Sequence, residues 1–262
     1  MGSTAVLQPR AAHERPSTSR PRVAASGTRD ALNRAVGWGD TARQDDPDAL
    51  YRDRATLVSA TRAVTLWASR LASNPADFES AWKLARGHYW LGTNGLADRE
   101  RKSALDAGIA AARTATALGP QRPEGHFWMA ANMGALAESF GIRQGIRYRG
   151  TIREALETVL RIDPGFQQGS ADRALGRWYY KVPRMFGGDN QKSEMHLRTA
   201  LAYNPHSVIT RVFLAETLLD LRRKAEARKE LEAALAAPVD PEWAPEDRGF
   251  REHARRLLET VH

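Results

Sequence analysis

The chain has 262 residues and a net charge of +8, and its apolar residues, led by Ala and Leu, favour helices over strands. It contains no cysteine, which excludes disulfides, thiolate nucleophiles and cysteine-based metal sites within these residues. No apolar stretch approaches the roughly 20 residues needed to span a bilayer. The basic residues alternate with acidic ones along the helical patterns, as on solvated faces, so we expect no nucleic-acid binding.

The N-terminal segment differs in composition from the rest of the chain. Residues 1–34 are rich in Arg, Ser, Pro and Ala without periodicity, and residues 35–46 contain glycines and aspartates typical of a linker. The segment has no apolar core that would mark a signal peptide. We therefore predict a disordered basic arm and linker at 1–46, followed by a helical-repeat domain at 47–262.

Helical patterns after this boundary alternate with breaks of similar sequence. Five such breaks end in a proline, at Pro75, Pro120, Pro164, Pro205 and Pro238. Because proline cannot continue a helix, each one marks the end of a unit. The spacings of 45, 44, 41 and 33 residues predict a helical-repeat array.

Each unit has the contents of a tetratricopeptide helix pair, in which small side chains let two helices approach closely. The first unit, for example, carries Trp82 on its first helix and Gly108 and Ala112 on its second. We therefore predict an all-α fold, a tetratricopeptide-like α-solenoid of about four helix pairs. Helices at about 48–72 and 245–260 have polar faces and are expected to cap the array.

The first three units are longer than the 34 residues usual for this repeat. We expect the excess to lie between the two helices of each unit, near residues 92–99, 139–150 and 182–189. Insertions of this kind tend to map to one face of a solenoid. They are therefore the first places to look for a binding site.

Signatures of catalysis are absent from the sequence. It has no phosphate loop, no dinucleotide fingerprint, no HExxH and no GxSxG. The seven histidines are dispersed, and none has a second ligand-type residue at a spacing that would favour a metal. We therefore predict a protein that is not an enzyme and that needs no cofactor or metal.

Two of the insertions combine basic and aromatic side chains. Residues 139–150 hold three arginines and no acid, and residues 176–189 hold three consecutive aromatics followed by two more cations. Guanidinium groups bind carboxylates and phosphates, while aromatic rings cover apolar groups. Because adjacent repeats should bring the insertions together, we predict a pocket for a small organic anion. Its predicted residues are Trp128, Tyr148, Arg149, Trp178, Tyr179, Lys181 and Arg184.

A structural role is the alternative for the same residues. The arginines of 139–150 could pair with Glu138, Glu154 or Glu157 on a solvated loop. Trp128 and Trp178 each follow a repeat position by about 100° of helix rotation, so each can face the core or a cavity.

Three stretches are more distinctive than a general repeat: RPEGHFWMAANMGALAESFGIRQGIRYRG, ALETVLRIDPGFQQGSADRALGRWYYKVPRMFGGD and APVDPEWAPED. They resemble the TatT family, the T component of tripartite ATP-independent periplasmic (TRAP) transporters, and the similarity covers about residues 48–260. The resemblance implies a periplasmic or cell-envelope component. It also implies association with the substrate-binding subunit and assembly as a homo-oligomer such as a trimer. The family usually begins with a lipoprotein signal and a cysteine, which this sequence lacks.

Two functions follow as hypotheses. The first is an accessory component of a TRAP-type uptake system for organic anions, which binds a partner subunit, a small ligand or both. The alternative is a general tetratricopeptide scaffold that binds a protein segment in its concave groove. An enclosed pocket lined by Trp, Tyr and Arg would favour the first, and an open polar groove the second.

Overall fold

The computed structural model describes residues 46–95 and 97–261, which belong to one compact unit. The predicted arm and linker at 1–46 lie outside the described residues, apart from Asp46. Asp46 caps the first described helix through its carboxylate, which accepts a hydrogen bond of 3.0 Å from the Asp48 amide. The disorder of the arm therefore stays a prediction.

Within the described ranges the chain forms eleven α-helices, one short 3-10 turn and no strand. The helices are α1 Pro47–Arg52, α2 Leu57–Ser73, α3 Phe78–Asn94, α4 Asp98–Leu118, α5 Pro123–Phe140, α6 Ile142–Ile162, α7 Phe166–Lys181, α8 Asn190–Tyr203, α9 Val208–Asp220, α10 Lys224–Ala236 and α11 Ala244–Thr260. The 3-10 turn is Arg184–Phe186, between α7 and α8.

Four antiparallel helix pairs make up the array: α3 with α4, α5 with α6, α7 with α8, and α9 with α10. The first helix of each pair also packs against the first helix of the next pair, and α11 continues this row beside α9. This arrangement confirms the predicted all-α solenoid of four helix pairs. None of the helices described combines the length and the apolar character that crossing a membrane requires.

The five prolines lie where the sequence places the ends of units. Helices α2, α4, α6, α8 and α10 each end two residues before one of them. At Pro75, for example, α2 ends at Ser73 and the Asn74 amide still donates to the Arg70 carbonyl, at 2.8 Å. The next helix then starts from a side-chain cap, since the Asp77 carboxylate accepts from the Ser80 amide at 3.0 Å.

Small residues set the close approach of paired helices, as predicted. Gly176 of α7 lies so near α8 that a Cβ atom there would come within 2.5 Å of Leu197 Cγ. On the facing helix, Ala200 is 1% exposed, and Ala234 of α10 is fully buried. The buried side chains of the array divide into two apolar clusters, one from Tyr51 to Trp178 and one from Leu197 to Val261.

The structure corrects two of the predicted elements. Residues 142–150 are not a loop, because they form the first turns of α6. Only Gly141 separates α5 from α6, and its φ of +98° makes the turn at low cost for glycine. The predicted cap at 48–72 is broken at residues 53–56 into α1 and α2. The third insertion, at 182–189, is a loop that contains the 3-10 turn.

Candidate binding groove

The first helices of the four pairs, together with α11 and residues of α4 and α6, line a groove of about 1140 Å³. The groove lies on the concave side of the array, and its lining includes residues of all four repeats. The groove is rich in aromatic side chains, with Tyr51, Tyr89, Trp90, Phe127, Trp128, Trp178, Phe213, Trp243 and Phe250. An apolar, aromatic lining of this kind is typical of ligand-binding clefts.

A buried ion pair joins the two ends of the array. Arg54, in the turn after α1, donates from Nε to Glu246 Oε1 at 2.9 Å and from Nη2 to Glu246 Oε2 at 2.6 Å. It also donates to the Glu242 carbonyl, and its guanidinium lies 5.4 Å from the Trp90 ring centroid. Because α11 is thereby held to the first turn, the helices form a closed ring around the groove. We call the Arg54–Glu246 pair the clasp.

A ladder of charged side chains crosses the row of first helices. Arg177 of α7 donates to both carboxylate oxygens of Glu138 on α5, at 3.1 and 3.0 Å. Its third donor reaches Glu216 on α9 at 2.6 Å, and Glu216 in turn contacts His253 of α11 at 3.1 Å. The Arg177 guanidinium packs 4.3 Å from the Phe213 ring centroid. These contacts link α5, α7, α9 and α11 to one another, and they give every nitrogen of the Arg177 guanidinium a carboxylate partner.

Arg173 lies one helical turn before Arg177 and also lines the groove. It is half-buried, and among the residues described no hydrogen bond or ion pair reaches its guanidinium. The nearest ring is Trp243, with its centroid 5.8 Å away. Burial lowers the pKa of Arg173 below its ordinary value, although a guanidinium keeps its charge in proteins. The groove therefore contains a cation that has no direct hydrogen-bond or ion-pair partner among the described residues, although the acids Asp247 and Glu246 act on it electrostatically.

Tyr89 of α3 is a second polar group on the groove wall. Its ring lies 5.6 Å from that of Trp128, tilted by 56°, and its hydroxyl has no hydrogen-bond partner within the described part of the chain. Burial raises the pKa of Tyr89 to about 12, so the hydroxyl stays protonated at neutral pH and can donate. The charge of Arg173 acts on Tyr89, which places the two groups in one electrostatic environment.

Asp247 of α11 is the buried acid of this region. It lines the groove at 8% exposure, and burial raises the pKa of its carboxyl to about 6. Glu246, its neighbour, is neutralised by the clasp. Asp247 has no such partner among the described side chains.

Four of the seven residues predicted for the site line the groove: Trp128, Arg149, Trp178 and Lys181. Both tryptophans are 6% exposed, so each serves as core and as groove wall. Trp178 Nε1 donates to the Arg149 carbonyl at 3.0 Å, which links the two basic stretches directly. The Arg149 guanidinium donates to the Ile146 carbonyl at 2.6 Å, and so it is turned back on its own helix. The part of these four residues in ligand binding stays a prediction.

The other three predicted residues lie outside the groove lining, so the seven do not form one cavity. Tyr179 follows Trp178 by 100° of rotation and faces α8, where it stacks on His196 at 5.4 Å. Tyr148 packs against the apolar core, and Arg184 is exposed in the 3-10 turn. The alternative interpretation paired Glu138 with an arginine of residues 139–150. In the structure the Glu138 carboxylate binds Arg177.

Arg173, Tyr89 and the clasp were missed by reasoning from sequence. Arg173 and Arg177 are spaced four apart, as groups on one helix face are. Nothing in the sequence separates such a pair from the many solvated arginines of this chain. Trp243 lies in the closing stretch APVDPEWAPED, where nothing in the sequence marks it as a groove residue.

The fold and its groove define a tetratricopeptide-type helical-repeat protein. Residues 124–261 match the family model described as TRAP transporter T-component. The chain therefore belongs to the TRAP transporter T-component family. Residues 46–186 also match the model described as Regulator of microtubule dynamics protein 1-3, and each match covers slightly more than half of the chain. Neither description names a catalytic activity.

A solved structure shares the fold. TTC0263, a thermophilic TPR protein in Thermus thermophilus, is 24% identical with a TM-score of 0.59, and the match covers 78% of this chain and 92% of that one. A structure of MamA is 14% identical with a TM-score of 0.49, covering 71% of this chain and 92% of that one. No curated protein matches the chain. At these identities the likeness concerns the fold alone.

Proposed function

We propose that this protein is a non-enzymatic accessory component of a TRAP-type uptake system for an organic anion. The observation that carries the proposal is the T-component match over residues 124–261. That range runs from α5 to α11, and so it includes most of the helices that build the groove. The part of the chain that matches the family model thus forms most of the candidate groove, to which Tyr51, Tyr89 and Trp90 add residues from outside the match.

The proposed partner is the substrate-binding subunit of the transporter, in the periplasm or cell envelope. We propose that this subunit docks over the opening of the groove, so that solute passes between the two proteins. A homo-oligomer such as a trimer would present several grooves to the transporter. The partner, the compartment and the oligomer rest on the family relationship.

The lining of the groove supports solute handling over a general scaffold role. The groove combines Trp and Tyr side chains with arginines, and the clasp closes the ring of helices around it. A small molecule can occupy this groove without disturbing the clasp. A tetratricopeptide scaffold is the second candidate, and the row of four repeats is the feature that favours it.

The test of the proposed function is co-purification with an identified partner. The tagged chain is produced together with the substrate-binding subunit of a TRAP transporter from the same cell, cross-linked and purified. The account expects that subunit to be recovered with the chain and to bind it in calorimetry. Recovery of unrelated partners, with no heat from the purified subunit, would favour the scaffold.

A further inference from the structure

Arg173 differs from the other groove arginines in having no hydrogen-bond or ion-pair partner among the described residues. Four arginines line the groove within the described residues: Arg101, Arg149, Arg173 and Arg177. Arg101 and Arg177 are held by carboxylates, and Arg149 donates to a backbone carbonyl. A half-buried cation without a direct hydrogen-bond or ion-pair partner is costly, and an anion from solution that binds it directly would offset that cost.

We propose that Arg173 and Tyr89 form a binding site for the carboxylate of a small organic acid, whose apolar body lies against Trp128 and Trp243. We call Arg173 and Tyr89 the donor pair. A guanidinium offers two parallel N–H groups to a carboxylate, and the tyrosine hydroxyl adds a third donor. Trp243 lies beside Arg173, and Trp128 lies beside Tyr89, so apolar surface flanks both donors.

The charges around the donor pair favour a monoanion. Glu246 and Asp247 both act electrostatically on Arg173, and the clasp neutralises Glu246. Asp247 remains as one nearby acid, which would repel a dianion such as a phosphate ester more strongly than a single carboxylate. One cation, one neutral donor and apolar walls are the complement of an organic monocarboxylate.

The closed ring of helices favours a small molecule over a peptide. Arg54 lies at 5% exposure between Glu246 and the rings of Tyr51 and Trp90, so the clasp is packed into the wall. A small free acid can occupy the groove without breaking this contact. The site rests on the groove of the proposed function, but not on any partner subunit.

The experiment uses arylalkanoates from benzoate to 4-phenylbutanoate, each compared with its neutral amide, in calorimetry with the full chain. We expect at least one acid to bind at least tenfold more tightly than its amide. Arg173→Gln should weaken binding of that acid at least tenfold and leave the amide unchanged. Tyr89→Phe should weaken it several-fold. Arg113→Gln, which makes the same change at an exposed arginine outside the groove lining, is the matched control and should change affinity less than twofold.

Several results would overturn the site. Equal affinity for acid and amide, unchanged acid binding by Arg173→Gln, an equal loss with Arg113→Gln, or no binding of any acid at millimolar concentration would each do so. Circular dichroism checks folding, and if Arg173→Gln unfolds, Tyr89→Phe carries the same comparison. Co-purification of the wild-type chain with the transporter subunit fails only if the proposed function is wrong, so the two failures are distinguishable.

Discussion

At the scale of single residues, the charges inside the groove divide by whether they have a partner. Arg54 and Arg177 bind carboxylates with short hydrogen bonds. Arg173 and Asp247 line the same space without direct partners in the described part of the chain. Unpaired charged groups in a cleft often mark function, because a protein that needed them only for stability would have paired them.

Asp247→Asn should stabilise the protein at high pH. The pKa of this carboxyl is about 6 in the folded protein and 3.8 ordinarily, so folding favours its protonated form. Its contribution to stability is fully present below pH 3.8 and is lost as the pH rises through 6. At pH 8 the ionised carboxylate then costs up to about 3 kcal/mol, which the amide avoids. Urea unfolding of both proteins at pH 8 and pH 4.5 measures this difference.

Comparing wild type with Asp247→Asn cancels the contributions of the other titrating groups to the pH dependence of stability. Burial lowers the pKa of His88 to about 4, so its protonation destabilises both proteins alike as the pH falls below its ordinary 6.5. The gain from Asp247→Asn should be largest at pH 8 and should shrink toward pH 4.5. A variant less stable than wild type at pH 8 would show that the ionised carboxylate has a stabilising partner.

The candidate site could be predicted only in part from sequence. The insertions drew attention to Arg149, Trp178 and Lys181, which do line the groove. Their contacts could not be predicted, because helix rotation decides whether neighbours such as Trp178 and Tyr179 face the same space. Arg173 could not be told from a solvated arginine, since the groups around it include Trp243 and the acids of α11, which are distant in sequence.

At the scale of helices, Ala200→Leu tests the packing of α8. Ala200 is 1% exposed, and its Cα lies close to Gly169 at the start of α7. A larger side chain should overpack this contact and cost about 1–3 kcal/mol in the free energy of unfolding. Thr199→Leu, one position along on the exposed face, is the control and should change stability little. Equal urea midpoints for wild type and Ala200→Leu would mean that the repeat register is wrong.

Helix boundaries were predictable wherever the chemistry of one residue decides them. The five prolines place five helix ends, because proline cannot supply the amide that the next turn needs. The stretch 142–150 was expected to be a loop, because its excess length and many arginines suggested an insertion. Those residues are compatible with a helix, and a single glycine at position 141 was enough to make the turn.

At the scale of the whole molecule, the clasp decides whether the array is an open solenoid or a closed ring. It joins residues 192 positions apart, so no local pattern could predict it. Its existence depends on the curvature that accumulates over four repeats.

Arg54→Met should open the ring. Arg54 is 5% exposed, and its removal leaves Glu246 partly buried without a counter-charge. We expect a loss of about 2 kcal/mol in the free energy of unfolding, below the 3–5 kcal/mol of fully buried pairs because Glu246 reaches solvent. Small-angle scattering should show a larger radius of gyration. The double variant Arg54→Met/Glu246→Leu should recover part of the stability. If Arg54→Met has the same free energy of unfolding and the same radius of gyration as wild type, the clasp does not hold the ring closed.

The most direct test of the transport role is solute uptake in cells that depend on this chain. Gly134 lines the groove, and a side chain there would meet no atom within 4 Å, so Gly134→Trp should fill the groove while α5 stays intact. Gly150→Trp is the matched control, with equally open space but outside the lining. The account predicts that uptake of the transporter's solute falls severalfold with Gly134→Trp and stays normal with Gly150→Trp. Normal uptake with Gly134→Trp, or in cells without the chain, would contradict it.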